Sequence, residues 1–527
     1  MSDKPSLSKS QYVLGLQCTL ALWNLRHGLP INPAPVANDD DEAAPDSKLL
    51  SVRDKTRAAG NDIGVLAQSY FTNGAAVTDD PKDTDACVAS TAQLIAAGHD
   101  VIFEATAVNP ADGGYAHIDA LQRVPGTDEW DMIEVKSTTK AKAYHYDDIA
   151  YQYHVFTGAG YKIRNAYLMM VNEKFRKDGP VDPQKFFKLQ NVTKAAKDRQ
   201  AALQANITRI NGAVDDPAKA PDEKIGSRCN NPHECSFKSK CWAGAPLYSI
   251  FNAYSGKAAD AVYAKTGSLS IDQVPDEMLP DKEAKKNEMA AHRTGQDYID
   301  RAALQGFLNK LEYPLYYLDY ETAMSPVPMH DNTAPFQQVP FQFSLHIQEQ
   351  PGSPLTHHAY IHKDASDPRE AFAKELTRVC GDKGSVIVYY QSFEESRNKE
   401  LAADLPHHAA ALNAISARMV DLYVPFSNRW LYSPAQKGSV SIKKVLDAFT
   451  PLNYNSMNIP NGEVAQQRYM DFVNGVMTDP VEIAQLWTDL DDYCALDTKA
   501  MVIIVDDVLR AKVGQLPPAP PLPNPAL

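Results

Sequence analysis

The stretch YAHIDALQRVPGTDEWDMIEVKS constrains this chain more than any other. Apolar and polar residues alternate on both sides of Pro125, Gly126, Thr127 and Asp128, residues of turn chemistry, so the segment predicts a β-hairpin. With the turn centred between Gly126 and Thr127, Asp119 falls opposite Glu134. Like charges directly across a hairpin are destabilising, so a fold that keeps this pair places a cation between them. Strand side chains alternate, which puts Lys136 on the face of Glu134. Two carboxylates can hold a hard cation such as Mg²⁺ or Mn²⁺, and a nearby ammonium can orient the water that attacks a phosphodiester.

In these residues the chain resembles the PD-(D/E)XK nucleases, in particular their RecB-like group. The resemblance implies a restriction-endonuclease-like α/β domain in which Asp119 and Glu134 bind metal and Lys136 assists the nucleophile. Gln152, in DDIAYQYHVFTG, matches a helical Gln that lies near the scissile phosphate in that group and would position substrate. Glu104, in FEATAV, resembles an upstream acid of the metal site. The His that such nucleases often carry before the end of their first helix has no counterpart in GNDIGVLAQ.

The segment RCNNPHECSFKSKCW separates Cys229, Cys235 and Cys241 by five residues each, so three of the seven cysteines form one set of soft ligands. Seven cysteines in 527 residues are too sparse for a secreted disulfide scaffold. A tetrahedral or cubane site needs a fourth ligand, and His233 inside the segment could complete a zinc site. The early motif SKSQYVLGLQCTLALW resembles that of a RecB-like subgroup, including AddB-type helicase-nucleases and CRISPR-adaptation exonucleases, which joins one early cysteine to three late ones. That resemblance implies a 4Fe-4S cluster on Cys18, Cys229, Cys235 and Cys241, acting as a structural staple. The second interval is longer than the two-residue step usual in that subgroup, which keeps Zn²⁺ as the alternative. Cys87, Cys380 and Cys494 show no ligand spacing and read as core residues.

A second constellation begins at EYPLYYLDYETA, where Asp319 and Glu321 share one face of a strand. In DDYCALDTKAM the helical spacing puts Tyr493 and Asp497 on one face as well. A strand with two acids facing a helix with Tyr and Asp suits two-metal phosphodiester cleavage. Together these fragments resemble the DnaQ-like, DEDD-type 3′–5′ exonucleases of the RNase H-like superfamily. The resemblance implies that Asp319, Glu321, Glu394 and Asp497 hold two metals while Tyr493 aligns water. The family's middle motif pairs Asn with Asp, and here VIVYYQSFEESRNKEL supplies Gln391 and Glu394 instead. Asp421, in MVDLY, matches a later strand Asp that is usually structural, and Asp492 reads as a solvated helix residue.

The expected organisation is a RecB-like domain at 1–245, a helical connector at 246–312, a DnaQ-like domain at 313–512 and a Pro-rich disordered tail at 513–527, with a flexible insertion at 30–47. The order of the two nuclease-like halves resembles an uncharacterised bacterial family. A net charge of −14 is acidic for a nucleic-acid enzyme, but residues 136–199 carry 13 Lys and Arg against 6 acids, a plausible phosphate footprint. No apolar window is long enough for a membrane helix and no signal-peptide pattern is visible, so the expected setting is cytoplasmic. The expected partner is nucleic acid, DNA before RNA. RNA processing, and a scaffold with a decayed acidic site, are the alternatives.

Overall fold

The computed structural model describes residues 7–28 and 63–515. The insertion expected at 30–47, the start of the helical pattern after it and the tail from residue 516 lie outside the described residues. The rest divides into two compact units, one of residues 7–28, 63–244 and 325–336, the other of 245–324 and 337–515. Both are mixed α/β.

The first unit is built on a six-stranded sheet in sequence order, β1 (Gly74–Ala76), β2 (Val101–Val108), β3 (Tyr115–Arg123), β4 (Glu129–Lys136), β5 (Lys162–Val171) and β6 (Phe187–Asn191). β2, β3 and β4 form an antiparallel meander, and β4 runs parallel to β5 after a crossover through helix Ala143–Gly158. The hairpin register is the one its turn dictates, with Ala120 paired to Ile133 and Gln122 to Asp131. Strands β1 and β6 escape sequence reading because they are short edges; β6, FKLQN, buries one end and exposes the other. One sheet face packs Ile102, Ile118 and Leu121 with Ile149, Tyr151 and Phe156 of the crossover helix. The opposite face packs Phe103, Ile133 and Met169 with Ile63, Ala67 and Phe186.

Helix Lys9–Gln17 is laid onto this body at two points. Tyr12 stacks on Tyr151 with ring centres 4.8 Å apart, and the Tyr151 hydroxyl donates to the Leu7 carbonyl. At Gly15 the backbone passes so close to helix Gln200–Val214 that a Cβ would stand 2.8 Å from the Ile210 side chain. Ser8 and Gln11 close a capping box that starts the helix at Lys9.

In the second unit five strands run in the order β10-β9-β8-β11-β12. They are β8 (Leu315–Ala323), β9 (Val339–Gln348), β10 (Leu355–Ile361), β11 (Ser385–Val388) and β12 (Met419–Asp421). The β8–β9 and β9–β10 junctions are antiparallel, the β8–β11 and β11–β12 junctions parallel. Helices Arg369–Val379, Ser392–Asp404 and Ala409–Ser416 cover one face through Phe372, Leu376, Leu401 and Leu412.

The other face carries the polar half of β9, which alternates Gln342, Ser344, His346 and Gln348, all buried. Helix Pro480–Ile503 covers them and answers with polar groups: Gln342 donates to the Leu490 carbonyl at 2.7 Å, and Thr498 bonds to both Ser344 and His346 at 2.8 Å. A strand that reads as half-exposed is thereby central.

The segment expected as a connector, 246–312, is part of the second unit instead. Its strand β7 (Tyr298–Ile299) pairs with β13 (Leu431–Tyr432), and its Glu288, wholly buried, accepts from Tyr248, Lys285 and Arg429 at 2.7 Å each. No described helix is long and apolar enough to cross a membrane.

Burial first, then His357 and Lys499, push the His346 imidazole down to about 3. An unfolded His titrates near ~6.5, so this group's contribution to stability is complete above that pH and is lost as pH falls toward its folded value. Urea unfolding of the second unit between pH 7 and pH 3 is expected to show a shallower acid loss for His346→Gln than for wild type; equal slopes would contradict the assignment.

Candidate functional site

The pairing of the first sheet fails at one level, and acids stand there. Between β2 and β3, Phe103 pairs with Ala120 and Ala105 with Ile118, so Glu104 and Asp119 face each other unladdered. Between β3 and β4 the ladder ends at Ala120 and Ile133, one residue short of Asp119 and Glu134. Asp119 Oδ2 accepts the Val135 N–H at 2.5 Å in place of a strand bond, and Glu104 adopts φ +55°, a left-handed conformation uncommon outside glycine. Three neighbouring strands therefore bring Glu104, Asp119 and Glu134 to one row.

Glu134 is 2% exposed and accepts three donors. Its Oε1 accepts Lys9 Nζ at 2.6 Å and Lys136 Nζ at 2.9 Å, and its Oε2 accepts the Gln152 amide at 2.5 Å. Burial alone would raise its carboxyl, but Lys136 and Lys9 outweigh that and hold it below the usual range. Asp119 shows the reverse: burial, then Glu134 and Glu104, push it up to about 8 against the pull of Lys9 and the Val135 N–H. Lys136 is fixed on its other side by Asp148 at 2.7 Å.

Gln152 departs from expectation. It is wholly buried, and its amide donates to Glu134 and, at 2.8 Å, to the His117 carbonyl, so it orients a carboxylate rather than reaching a substrate.

Cys18, Cys229, Cys235 and Cys241 line one pocket of the first unit. Burial first raises the Cys235 thiol, and the charges of Cys18, Cys229 and Cys241 raise it further. Among the described residues no three of these sulfurs come within 4.8 Å of one another. A tetrahedral zinc site with bonds of about 2.3 Å brings its sulfurs to ~3.8 Å, whereas a cubane spreads them wider. His233 does not line this pocket; it stands edge-on to Tyr144, ring centres 4.9 Å apart. Around the pocket, Gln17 donates to the carbonyls of Arg228 and His233 at 2.8 and 2.7 Å, and Thr19 donates to Glu223 at 2.6 Å, tying the early segment to the late one.

In the second unit Asp319, Glu321 and Asp497 offer ligand oxygens all within 4.8 Å of one another, at a cleft of about 190 Å³ that Tyr493, Lys443 and Tyr389 also line. Asp319 and Glu321 project from β8, and Tyr493 and Asp497 from one face of helix Pro480–Ile503. Glu394, in the first turn of helix Ser392–Asp404, is 1% exposed and its Oε2 has no hydrogen-bond partner among the described residues. Burial dominates in raising all four carboxyls, with Asp497 adding to Asp319, and Asp319 adding to Glu321 and Glu394. Buried acids so deficient in counter-charge fit hard divalent cations with oxygen ligands. Asp421 accepts the N–H groups of Tyr390 and Tyr423 at 2.9 Å, a structural task. Asp492 is exposed.

Sequence reading misses Lys9, Asp148, Lys443 and Tyr454. Tyr454 donates to Asp497 at 2.6 Å, and Lys443 lies over the Tyr454 and Tyr493 rings at 5.1 and 5.4 Å. For Asp148 the signal was present, since a residue one helical turn before Gln152 shares its face. Lys9, Lys443 and Tyr454 sit in motifs that spacing alone does not connect. The basic stretch is largely spent internally: Lys162 pairs with Asp128, Arg164 with Asp131, Lys188 with Glu173, Lys194 with Asp198 and Arg199 with Asp147.

Residues 316–441 match a family described as a domain of unknown function, DUF2779. That span holds Asp319, Glu321 and Glu394 and ends before Lys443, Tyr493 and Asp497. The chain is similar to an uncharacterised protein of Ureaplasma parvum serovar 3, 30% identical over 40% of this chain and 34% of that one. It is also similar to uncharacterised proteins of Mycoplasma pneumoniae, 31% identical over 37% of this chain and 32% of that one, and of Mycoplasma genitalium, 28% identical over the same shares. The chain spans about a third of the length of these curated relatives.

Removing one of several crowded buried charges relieves repulsion. In EDTA, Asp319→Asn is expected to melt roughly 2–4 °C above wild type, about 1 kcal/mol for a unit of this size, while Mn²⁺ stabilises wild type more than the variant. Calorimetry showing a lower melting point for the variant in EDTA would contradict the crowding.

Proposed function

We propose that the protein is a divalent-metal-dependent nuclease with two hydrolytic sites, acting on the ends of DNA in repair or in defence against foreign DNA. The observation that carries this reading is the set of Asp319, Glu321 and Asp497 within 4.8 Å, with the partnerless Glu394 oxygen buried beside them and Tyr493 one helical turn before Asp497. The strand order β10-β9-β8-β11-β12, with its change from antiparallel to parallel at β8, supports an RNase H-like, DnaQ-type domain. The β2–β3–β4 meander followed by a parallel crossover to β5 supports a PD-(D/E)XK domain in the first unit.

Mg²⁺ or Mn²⁺, held by Asp319, Glu321, Glu394 and Asp497 in one unit and by Asp119 and Glu134, with Glu104, in the other, would supply Lewis acidity and lower the pKa of a bound water. The protein's own groups do the rest. Tyr493 faces the cleft beside Asp497, where its hydroxyl can orient the attacking water. Lys136, locked between Glu134 and Asp148, presents a charged ammonium that can orient a nucleophile and offset charge on the phosphoryl oxygens. Gln152 holds Glu134 in its rotamer. The four cysteines lining one pocket support a 4Fe-4S cluster, with Zn²⁺ as the alternative, serving as a staple in a cytoplasmic protein.

End-labelled DNA and RNA incubated with Mg²⁺ or Mn²⁺ test the reading. Wild type is expected to degrade DNA faster than RNA, Lys136→Ala and Asp319→Ala each to lose at least ~100-fold at one site, and the double variant to be inactive. No cleavage by metal-loaded wild type would reject the proposal in favour of a nucleic-acid scaffold, and preferred degradation of RNA would reassign the substrate. For the staple, anaerobically purified protein is expected to absorb in the visible and Cys235→Ser to lose the band; a colourless, zinc-loaded wild type would reject iron.

A further inference from the structure

Glu134 Oε1 has no lone pair left for a metal ion as the first site stands, because two ammonium groups share it, while Oε2 accepts one amide and keeps one lone pair. One ammonium must leave before a cation can take Oε1, and the two lysines differ in how firmly they are held. Lys136 bridges two carboxylates, Glu134 and Asp148. Lys9 has Glu134 as its hydrogen-bonded acid among the described residues, and its side chain is 27% exposed against 16% for Lys136.

Local structure gives no reason for a cation at this place. Lys9 is the first residue of its helix, where the positive end of the helix dipole disfavours it, and that first turn carries no acid of its own. The charge is compensated 125 residues away in sequence, by Glu134. What holds Lys9 there is the seating of its helix: the capping box at Ser8, the Tyr12–Tyr151 stack, the close approach at Gly15, and Cys18 in the cysteine pocket at the far end.

We infer that Lys9 is the exchangeable counter-ion of the first site: it neutralises Glu134 when no divalent cation is bound, yields that oxygen when one is, and then binds a phosphate of the nucleic acid at the mouth of the site. The inference rests on reading this site as a nuclease centre, and it assigns Lys9 a substrate contact distinct from that of Lys136. A lysine side chain reaches several ångströms from its Cα on a flexible stem, so its ammonium can turn from carboxylate to phosphate without movement of the helix.

The full chain carrying Asp319→Asn and Asp497→Asn, which silence the second unit, provides the background. Mn²⁺ binding is measured by electron paramagnetic resonance, and binding of an end-labelled duplex oligonucleotide is measured in Ca²⁺. Lys9→Met is expected to bind Mn²⁺ at least 5-fold more tightly and the oligonucleotide at least 5-fold more weakly; Lys9→Arg keeps both values near the background and checks that the helix is still seated. Unchanged or weaker Mn²⁺ binding by Lys9→Met overturns the inference, as does an unchanged oligonucleotide affinity. Should wild type cleave nothing while Lys9→Met shows both shifts, the nuclease reading fails and the exchange stands.

Discussion

Crowded carboxylates, several of them out of water, set the terms for both units. Each ion taken into a low-dielectric interior costs several kcal/mol, and like charges a few ångströms apart add to that cost. The first sheet does not need the acids for its own pairing: its ladder breaks at the level where they stand, and Glu104 leaves the ordinary strand conformation there. Side chains that a sheet accommodates at the expense of its own hydrogen bonds are of the kind found at functional sites.

The two units answer the same problem with different counter-charge. Glu134 is flanked by Lys9 and Lys136, and its charge is held firmly within the protein. Among the described residues the second cluster has the Lys443 ammonium nearby, the Arg397 guanidinium acting on Glu394, a hydroxyl from Tyr454 on Asp497 and a thiol from Cys494 at 3.5 Å from Asp319, against four carboxylates. On the proposed reading, the first site exchanges an internal cation for an external one, while the second takes external cations from the outset. The net charge of −14, which first reads as unsuited to nucleic acid, is in part the charge of these clusters.

How much of this was legible depended on whether the signal was local. Hairpin register follows from a four-residue turn, so the level at which Asp119 and Glu134 stand could be placed from sequence, although the ladder itself stops at Ala120 and Ile133. Helical and strand periodicity put Tyr493 beside Asp497 and Asp319 beside Glu321. Burial of the polar face of β9 was not legible, because FQFSLHIQ alternates like a half-exposed strand and only the covering helix shows where Gln342 and His346 point. Gln152 was misjudged for a related reason: spacing locates a helix face, but whether an amide turns toward a ligand or toward Glu134 is settled by packing depth. Lys9 escaped altogether, since its partner is distant in sequence and its helix position is locally unfavourable.

The seating of helix Lys9–Gln17 also orders events in time. Its partners, Tyr151, Ile210, the Arg228 carbonyl and the late cysteines, all lie more than a hundred residues downstream. During synthesis the helix therefore waits for its docking surface, and contacts of such sequence separation form late. A nascent chain can fold the meander that bears Asp119 and Glu134 before Cys241 has left the ribosome, yet without Lys9 in place. The first site is thus completed only when the whole unit exists, so a truncated chain displays the acids without the arrangement that controls them.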